Sequence, residues 1–324
     1  MVQIGKLDRS ILYELGSNSR ISYKNLAKKI KSKKTVVSYH IQNLTKEKII
    51  CKYIPVFSLN RLGLHSHKIF FKFHGLDKKK KDQMIKDLIE DPLINWVAES
   101  VGAWDLLIST FFSNIMDFAD MKNEFFKKYG PYVQDYSVTI IEDALIFNRD
   151  YLVDKKLDYR KRFVLSEKKK LEKIDDTQKQ ILRLIRNNGR FQITKIAKDL
   201  NLNVRTVMSK ISNLEKRKII QGYTTFLDVN KIGFKFFKLC IYLQDFTKEK
   251  YDYLINYCKL HKNVIWIIKS IGDWDLELEI EAENLEYIYN LVEEIKTNYP
   301  KIVKSIDVSI IIKEHKLCYF PEWY

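Results

Sequence analysis

Three short stretches near the start of the chain place apolar residues every three or four positions. The first has its apolar face around Leu12, and the third repeats the spacing at Val37, Ile41 and Leu44. This period is typical of amphipathic helices. The middle stretch follows Ser22, a favoured N-cap residue, and has room for about two turns. We therefore predict three helices, of which the third is the more basic.

Residues 61–150 alternate between strand-like and helix-like patterns. Gly102 separates two stretches rich in Ile, Val, Trp and Phe, and it supplies the turn between them. The predicted order β-α-β-β-α-β is that of a ferredoxin-like domain, so the fold class is α+β. The predicted elements are strands at 68–73, 94–100, 104–112 and 133–145 and helices at 77–90 and 115–128.

The whole pattern occurs twice, at a constant spacing of 170 positions. Ile11-Leu12 returns as Ile181-Leu182, and the segment from Trp96 to Leu106 returns from Trp266 to Leu276. The second ferredoxin-like pattern lies at about 236–314. A period of this length indicates duplication of a whole module and not a solenoid of short units.

A short second helix, a break and a basic third helix are typical of a helix-turn-helix. With the duplication, this gives tandem copies of a winged-helix or helix-turn-helix domain followed by a ferredoxin-like domain. The predicted segments are a first helix-turn-helix at 1–60, a first α+β domain at 61–150, a charged linker at 151–173, a second helix-turn-helix at 174–230, a second α+β domain at 231–318 and an aromatic tail at 319–324.

The two apolar stretches, the tail and the pairing of the α+β domains leave alternatives open. The stretches Tyr53–Leu59 and Tyr223–Val229 are apolar, and each is either part of a strand pair or an extended connector. The linker is predicted to be partly helical. The tail aromatics either dock on a core or contact another subunit. The two α+β domains pair either within one chain, as a pseudo-dimer, or between chains.

The net charge of +16 is concentrated on the helical units. Residues 1–60 carry +9 and residues 171–230 carry +6, whereas residues 61–150 and 231–324 each carry −2. A basic surface of this kind attracts polyanions, and double-stranded DNA is the expected partner.

The remaining composition excludes several classes of protein. At 46% hydrophobic residues the chain is globular, and no apolar run is long enough to span a bilayer. The four cysteines are scattered, as expected for reduced thiols in a cytoplasmic protein, and the N-terminus lacks a signal-peptide pattern. Neither a metal-site spacing nor a nucleophile–base signature is present, so we predict no cofactor, no metal and no enzymatic activity.

The arrangement resembles the Lrp/AsnC (feast/famine) family of prokaryotic transcription regulators. The resemblance rests on Ile11-Leu12, Leu26-Ala27, the Val37, Ile41 and Leu44 face before Ile49-Ile50, Gly102-Ala103-Trp104-Asp105-Leu106 and the equivalent residues of the second copy, ending in Gly272-Asp273-Trp274-Asp275-Leu276. It implies a double-length regulator whose ferredoxin-like halves are RAM domains, which assemble subunits and often bind an amino acid.

The sequence departs from the family pattern at the DNA-reading unit. Lys48 and Lys218 stand where the family often has Gly in the turn before the Ile-Ile pair. His40 and Lys210 replace the arginine that precedes the Ile of the third helix. The base contacts of other members therefore do not transfer to this chain.

The third helix of each unit is expected to enter the major groove. Arg205 has the geometry to pair with guanine, and Gln42 or Asn203 can pair with adenine. Because the two reading helices differ, we predict an asymmetric DNA site or unequal affinities. The predicted DNA-binding residues are Lys33, Lys34, Thr35, Ser38, Tyr39, His40, Gln42, Asn203, Arg205, Thr206, Ser209, Lys210 and Ser212. The predicted phosphate contacts are Lys24, Lys28, Lys29, Lys195 and Lys198.

The resemblance also implies an amino-acid effector near the turn between the second and third RAM strands. Glycine permits a tight turn there, Asp can accept an ammonium group and Trp can wall a pocket. The alternative is a turn with a packed Trp and no ligand. The implied residues are Ser100, Gly102, Trp104, Asp105, Ser270, Gly272, Trp274 and Asp275.

Two other functions remain as alternatives. Siroheme decarboxylases resemble the same family in fold but act on a tetrapyrrole, for which basic residues and a histidine would be needed. None of the candidate histidines recurs at the 170-residue spacing, and the positive charge lies on the helical units. The other alternative is an architectural DNA-binding protein. The candidate histidines are His65, His67, His74, His261 and His315.

Overall fold

A computed structural model describes residues 2–153, 160, 162–166, 170–244, 247–321 and 323–324. It begins with the three predicted helices, α1 (Lys6–Ser17), α2 (Tyr23–Lys29) and α3 (Lys34–Lys46), followed by strand β1 (Ile50–Phe57). The Ser22 hydroxyl accepts a hydrogen bond from the Asn25 amide at 3.2 Å and caps α2, as its position predicts.

The first ferredoxin-like domain follows in the predicted order. Its elements are β2 (His65–Phe73), α4 (Lys78–Glu90), β3 (Ile94–Gly102), β4 (Leu106–Phe112), α5 (Ile115–Tyr129) and β5 (Val133–Phe147). The linker contributes a short strand, β6 (Arg162–Ser166), which pairs with β5. The linker was predicted to be partly helical, and its residues 162–166 are a strand; residues 154–159, 161 and 167–169 lie outside the described residues.

The second copy reproduces these elements. They are α6 (Asp176–Ile185), α7 (Ile193–Asp199), α8 (Val204–Lys216), β7 (Ile220–Leu227), β8 (Lys235–Leu243), α9 (Lys248–Cys258), β9 (Val264–Ile271), β10 (Leu276–Ala282), α10 (Leu285–Asn298) and β11 (Val303–Leu317). The bounds of β5 and β11 differ by the same 170 positions that separate the sequence repeats.

The two ferredoxin-like domains form a closed eight-stranded β-barrel. The strand order is β2-β4-β3-β11-β8-β10-β9-β5, and β5 pairs back with β2. The halves meet at two equivalent seams, where Val101 pairs with Ile310 and Ile271 pairs with Ile140. Within this chain, therefore, the two RAM-like domains pair with each other.

The barrel strands are buried on both faces. In β2, Ile69 and Phe71 point outward to the apolar layer beneath α4 and α5. Phe70 instead joins Trp104 and Trp274 in the cluster inside the barrel, where the Phe70 and Trp274 ring centroids are 4.6 Å apart. The period-2 alternation of a strand explains this division of side chains between the two layers.

The barrel also encloses two lysines and two glutamates. Lys68 and Lys238 lie 170 positions apart, and both donate to Glu277, at 2.7 and 2.6 Å. Lys238 also donates to Glu279 at 2.7 Å. The second oxygen of Glu277 accepts from the Ser270 hydroxyl and the Trp274 indole. These cations hold the pKa of the buried Glu277 carboxyl down at about 2, against the cost of burial.

The two apolar connectors pair with each other. Strands β1 and β7 form an antiparallel ribbon that joins the copies. Ile54 lies opposite Thr224, its own counterpart 170 positions later. On either side Tyr53 pairs with Thr225 and Pro55 with Tyr223, and a shift of 170 positions exchanges these two pairs. A pseudo-twofold axis therefore passes through the centre of the ribbon.

The aromatic tail packs on the second helix-turn-helix. Phe320 is fully buried in the core formed by α6, α7 and α8, and its ring centroid lies 5.1 Å from that of Phe57. Arg183 of α6 donates a hydrogen bond to the Tyr324 carbonyl at 2.8 Å. Of the two predicted alternatives for the tail, docking on a core is the one that the structure has.

Candidate nucleic-acid interface

The reading helices α3 and α8 present their predicted outward residues to solvent. Their inward faces are closed by Val37, Ile41 and Leu44 in α3 and by the equivalent residues of α8. Tyr39 has 62% of its surface exposed. The exposed members of the predicted set are Lys33, Lys34, Thr35, Tyr39, Gln42, Asn203, Arg205, Thr206 and Ser209, and the partly exposed ones are Ser38, His40, Lys210 and Ser212.

The residues at the family's arginine position bond to the first helix of their own unit. His40 Nδ1 lies 2.7 Å from an Asp8 carboxylate oxygen. Lys210 donates to Asp175 at 2.5 Å, and this contact lowers the pKa of the Asp175 carboxyl. Both side chains are therefore engaged within the protein, as is Asn203, whose side-chain oxygen accepts a hydrogen bond from the Arg205 amide at 2.8 Å and caps α8.

The predicted phosphate contacts lie on the exposed sides of α2 and α7. Lys24, Lys28, Lys195 and Lys198 are exposed, as backbone-positioning lysines need to be. Lys29 is exposed as well, but its ammonium pairs with the buried Glu14 of α1. Its charge is thus partly used in joining α2 to α1.

Sequence reasoning missed one apolar residue on the reading surface. Met208 of α8 lies in the same exposed row as Arg205 and has 52% of its surface in solvent. Such an apolar side chain is suited to contact a thymine methyl group in the major groove. The sequence contained the information needed to find Met208, because this residue is the counterpart in the second copy of the predicted contact Ser38.

A reciprocal pair of arginines also escaped the sequence analysis. Arg20 donates to the Gly189 carbonyl at 3.0 Å and stacks on Phe191, with its guanidinium carbon 3.8 Å from the ring centroid. Arg190, its counterpart, donates to the Ile21 carbonyl at 3.2 Å. The two helix-turn-helix units are therefore held together by these crossed contacts and by the ribbon, which fixes the positions of α3 and α8 relative to each other.

The residues implied in effector binding lie at the seams of the barrel. Gly102 has φ +116°, and a Cβ atom there would lie 2.5 Å from the Val308 carbonyl oxygen of the other copy. At Gly272 the equivalent distance, to the Val138 oxygen, is 2.7 Å. Both glycines are thus required by close approach of the two domains.

The polar side chains of these turns bond within the protein. Asp105 accepts from the Phe73 amide and from Lys72, both at 2.9 Å, and Asp275 accepts from the Leu243 amide at 2.9 Å. Ser100 donates to the Trp104 carbonyl at 2.7 Å, and Ser270 donates to Glu277. Trp104 and Trp274 are buried. Effector binding at these residues stays a prediction.

The histidines considered for tetrapyrrole chemistry are dispersed. His67 is buried and stacks on Phe118, and burial lowers its pKa. His315 bonds to Glu99 at 2.6 Å. Among the described residues, His, Cys, Asp and Glu form no group of three suited to a metal ion. In the part of the chain that the structure describes, no helix is long and apolar enough to cross a membrane.

The sequence matches a family model for a winged helix-turn-helix DNA-binding domain twice, at residues 5–50 and 174–221. These ranges contain α1–α3 and α6–α8 with the start of the strand that follows each. The matches confirm that both units are winged helix-turn-helix domains.

Curated relatives are single-length proteins that match about half of this chain. An HTH-type transcriptional regulator of Pyrococcus furiosus is 26% identical over 145 residues, which cover 44% of this chain and 94% of the relative. The regulator FL11 of Pyrococcus horikoshii is 23% identical over 143 residues, covering 44% of this chain and 92% of FL11.

One solved structure matches the chain along almost its full length. The siroheme decarboxylase NirDL has a TM-score of 0.63 at 14% identity, covering 99% of this chain and 95% of that one. This likeness shows a shared fold. The chain thus contains two winged helix-turn-helix DNA-binding domains and is similar, over 44% of its length, to single-length HTH-type transcriptional regulators.

Proposed function

We propose that this protein is a sequence-specific DNA-binding transcription regulator that uses both of its helix-turn-helix units on one DNA site. The observation that carries the proposal is the pair of exposed reading helices at pseudo-symmetric positions, each on a domain of a DNA-binding family. The charge of +9 on residues 1–60 and +6 on residues 171–230 supports it, because those regions hold the helices.

The two helices supply different chemistry to the groove. Helix α8 presents Arg205 with Met208, whereas α3 presents Thr35 and Ser38 at the equivalent positions. An arginine can contact guanine through two hydrogen bonds, but the shorter hydroxyl side chains discriminate less. A single chain therefore reads two unlike half-sites, and its preferred site is not a palindrome.

The test is a mobility-shift titration of the full chain with its own upstream DNA, across a salt series and with unrelated competitor DNA. Binding that resists competitor and weakens steeply with salt is the expected result. Equal competition by any DNA would favour the architectural alternative. Absence of binding at low salt would overturn the proposal. A selection of preferred sites that returned a perfect palindrome would overturn the use of both units on one site.

Tetrapyrrole decarboxylation is the second candidate, and the full-length likeness to NirDL is the observation that favours it. Among the described residues, the walls of the central cavity discussed below hold both basic and acidic residues but no histidine. The absence of a histidine there argues against ligation of a siroheme iron in this cavity. The check is to look for tetrapyrrole absorbance after incubation with siroheme and for release of CO2; either result would favour the enzyme.

An amino-acid effector at the RAM turns is a finer part of the proposed function. The Lrp/AsnC resemblance supports it, and the engagement of Asp105 and Asp275 with backbone amides argues that any ligand there would contact other groups. Calorimetric titration of the full chain with each of the common amino acids tests this part separately from DNA binding.

A further inference from the structure

A cavity of about 610 Å³ lies between the barrel and the β1–β7 ribbon. Its walls come from both copies, including Cys51 and Ile54 of β1, Thr225 of β7 and Phe236 of β8. This volume is within the range that accommodates small organic ligands in proteins. The cavity is separate from the seam turns with Gly102 and Gly272, neither of which contributes to its walls.

Aromatic side chains from equivalent positions line the cavity. Trp96 of β3 and Trp266 of β9 stand 170 positions apart, and both contribute to its walls. Tyr319 of the tail closes another side, with its ring centroid 5.9 Å from that of Trp266. The body of a ligand in this cavity would therefore meet aromatic faces, which favour apolar groups and cations.

Three glutamates face the cavity, together with the basic residues Lys68, Arg149, Lys235 and Lys313. Two of the glutamates already have cationic partners. Glu279 pairs with Lys238, and Glu281 forms a two-point contact with Arg149 at 2.8 and 2.9 Å. Glu314 differs from both. Among the described residues no lysine or arginine lies within salt-bridge distance of Glu314. Its carboxylate accepts a hydrogen bond from the Trp96 indole at 2.8 Å. A carboxylate enclosed in this way lacks a counter-ion.

Two further acceptors in the cavity wall have no partner. The Asn95 side-chain oxygen and the Thr225 hydroxyl are buried without a hydrogen bond in the described structure. Both residues are more than nine-tenths buried, at 7% and 3% exposure. Buried polar atoms of this kind are rarely left unsatisfied, because each costs about 1–3 kcal/mol.

From this geometry we infer that the cavity binds a small organic cation, a primary amine carried on an apolar body. The amine contacts Glu314, and the Asn95 and Thr225 oxygens in the same walls are further acceptors for its three donors. The apolar body lies against Trp96 and Trp266. A carboxylic acid of the same shape is repelled by Glu314.

Glu314 also makes the interaction sensitive to pH. Burial raises the pKa of this carboxyl to about 7, and the neighbouring acids add to the effect. Below that pH the protonated group no longer attracts a cation, so amine binding tightens as the pH rises. The charged or titratable groups that face it are Glu279 and Glu281 from β10, Arg149 after β5, Tyr319 from the tail and Cys51 from β1.

The experiment is calorimetric titration of the free full-length protein with 2-phenylethylamine and, separately, with phenylacetate. We expect the amine to bind and the acid to bind at least tenfold more weakly. Glu314→Gln should weaken amine binding at least tenfold, and Thr225→Val should weaken it several-fold. Valine has the shape of threonine, so this second variant remains informative if Glu314→Gln fails to fold. Glu293→Gln, on the exposed side of α10, is the matched control.

Equal binding of the acid and the amine, or the absence of binding by the amine, would overturn the inference. Unchanged affinity in folded Glu314→Gln, or in Thr225→Val if the first variant does not fold, would do the same. In the unmodified chain, amine affinity should rise up to about tenfold from pH 6 to pH 8, a change that Glu314→Gln abolishes. No DNA is present, so the result does not depend on the proposed function.

Discussion

The two halves of the barrel contribute the same cations but different anions. Lys68 and Lys238 occupy equivalent positions, yet both carboxylates that neutralise them belong to β10 of the second copy. The positions equivalent to Glu277 and Glu279 in β4 are Leu107 and Ser109. An assembly of two identical chains could not divide the charges in this way. Two copies of the second half would hold four of these acids, and two copies of the first half would hold none.

Because both copies lie in one chain, equivalent positions in the two copies can carry different residues. Two lysines meet two glutamates, whereas two copies of the second half would bury four carboxylates with two lysines. The reading helices show the same loss of symmetry, because α3 and α8 share their inward residues and differ in most outward ones. Symmetry is kept where the copies pack and is lost at the buried carboxylates and on the outward faces of the reading helices.

The largest effect should follow from removing the shared acid. In the buried group of Lys68, Lys238, Glu277 and Glu279, the substitution Glu277→Gln leaves Glu279 as the one carboxylate for two ammonium groups. We therefore expect a loss of about 3–5 kcal/mol in the free energy of unfolding. Urea denaturation measures it. Glu142→Gln, which removes an exposed ion pair with Lys269, should cost at most about 1 kcal/mol. Similar losses in both variants would contradict the special role of Glu277.

The same variant has a characteristic pH dependence. Because the folded pKa of Glu277 is about 2, below its ordinary value of 4.5, its stabilising effect is present above pH 4.5 and is lost as the pH falls towards 2. The difference in unfolding free energy between the unmodified chain and Glu277→Gln should therefore shrink over this window. A difference that stayed constant down to pH 2 would show that Glu277 does not act through its charge.

The comparison of the reading helices is sharpened by substituting one equivalent pair. Arg205→Ala should weaken binding to the preferred site by about 1–3 kcal/mol and relax the preference at one base pair, whereas Thr35→Ala should have a smaller effect. Competition titrations with single-base variants of the site measure both. Lys248→Ala, on α9, is the control for loss of positive charge. If Thr35→Ala had the larger effect, the assignment of the stronger base contact to α8 would be wrong.

The smallest effect concerns the turns where both copies depart from the family pattern in the same way. Lys48 and Lys218 have φ of +55° and +58°, a left-handed conformation that glycine adopts without strain. Lys48→Gly and Lys218→Gly should each stabilise the fold by about 0.5–1 kcal/mol in thermal or urea unfolding. Lys46→Gly, within α3, should instead destabilise it by a similar amount. Destabilisation by all three would show that the turns are not strained.

The periodicity of the sequence was sufficient to find the local elements. Predicted and observed bounds agree closely for the helix Lys78–Glu90 and the strand Val133–Phe147. The inward faces of the reading helices were also predicted, because a stripe at Val37, Ile41 and Leu44 has one physical explanation. The exposure of Arg205 and Lys34 follows from the same pattern.

The partners of the strands were not accessible from the sequence. Alternation indicates that Lys68 and Phe70 share one face, but the identity of that face depends on whether the barrel closes. In an open sheet Lys68, Glu277 and Glu279 would lie in solvent. A strand pair was one of the two alternatives for β1 and β7, but the sequence could not show that they pair with each other, because they are 170 positions apart.

The ribbon has a consequence for the protein at low abundance. Separate subunits must associate before they can bind two half-sites together, and a dimer dissociates on dilution. Here Ile54 and Thr224 belong to one polypeptide, so the paired state persists even for a solitary molecule. Occupancy of a promoter by such a protein would rise linearly at low dose and lack the threshold that subunit assembly imposes.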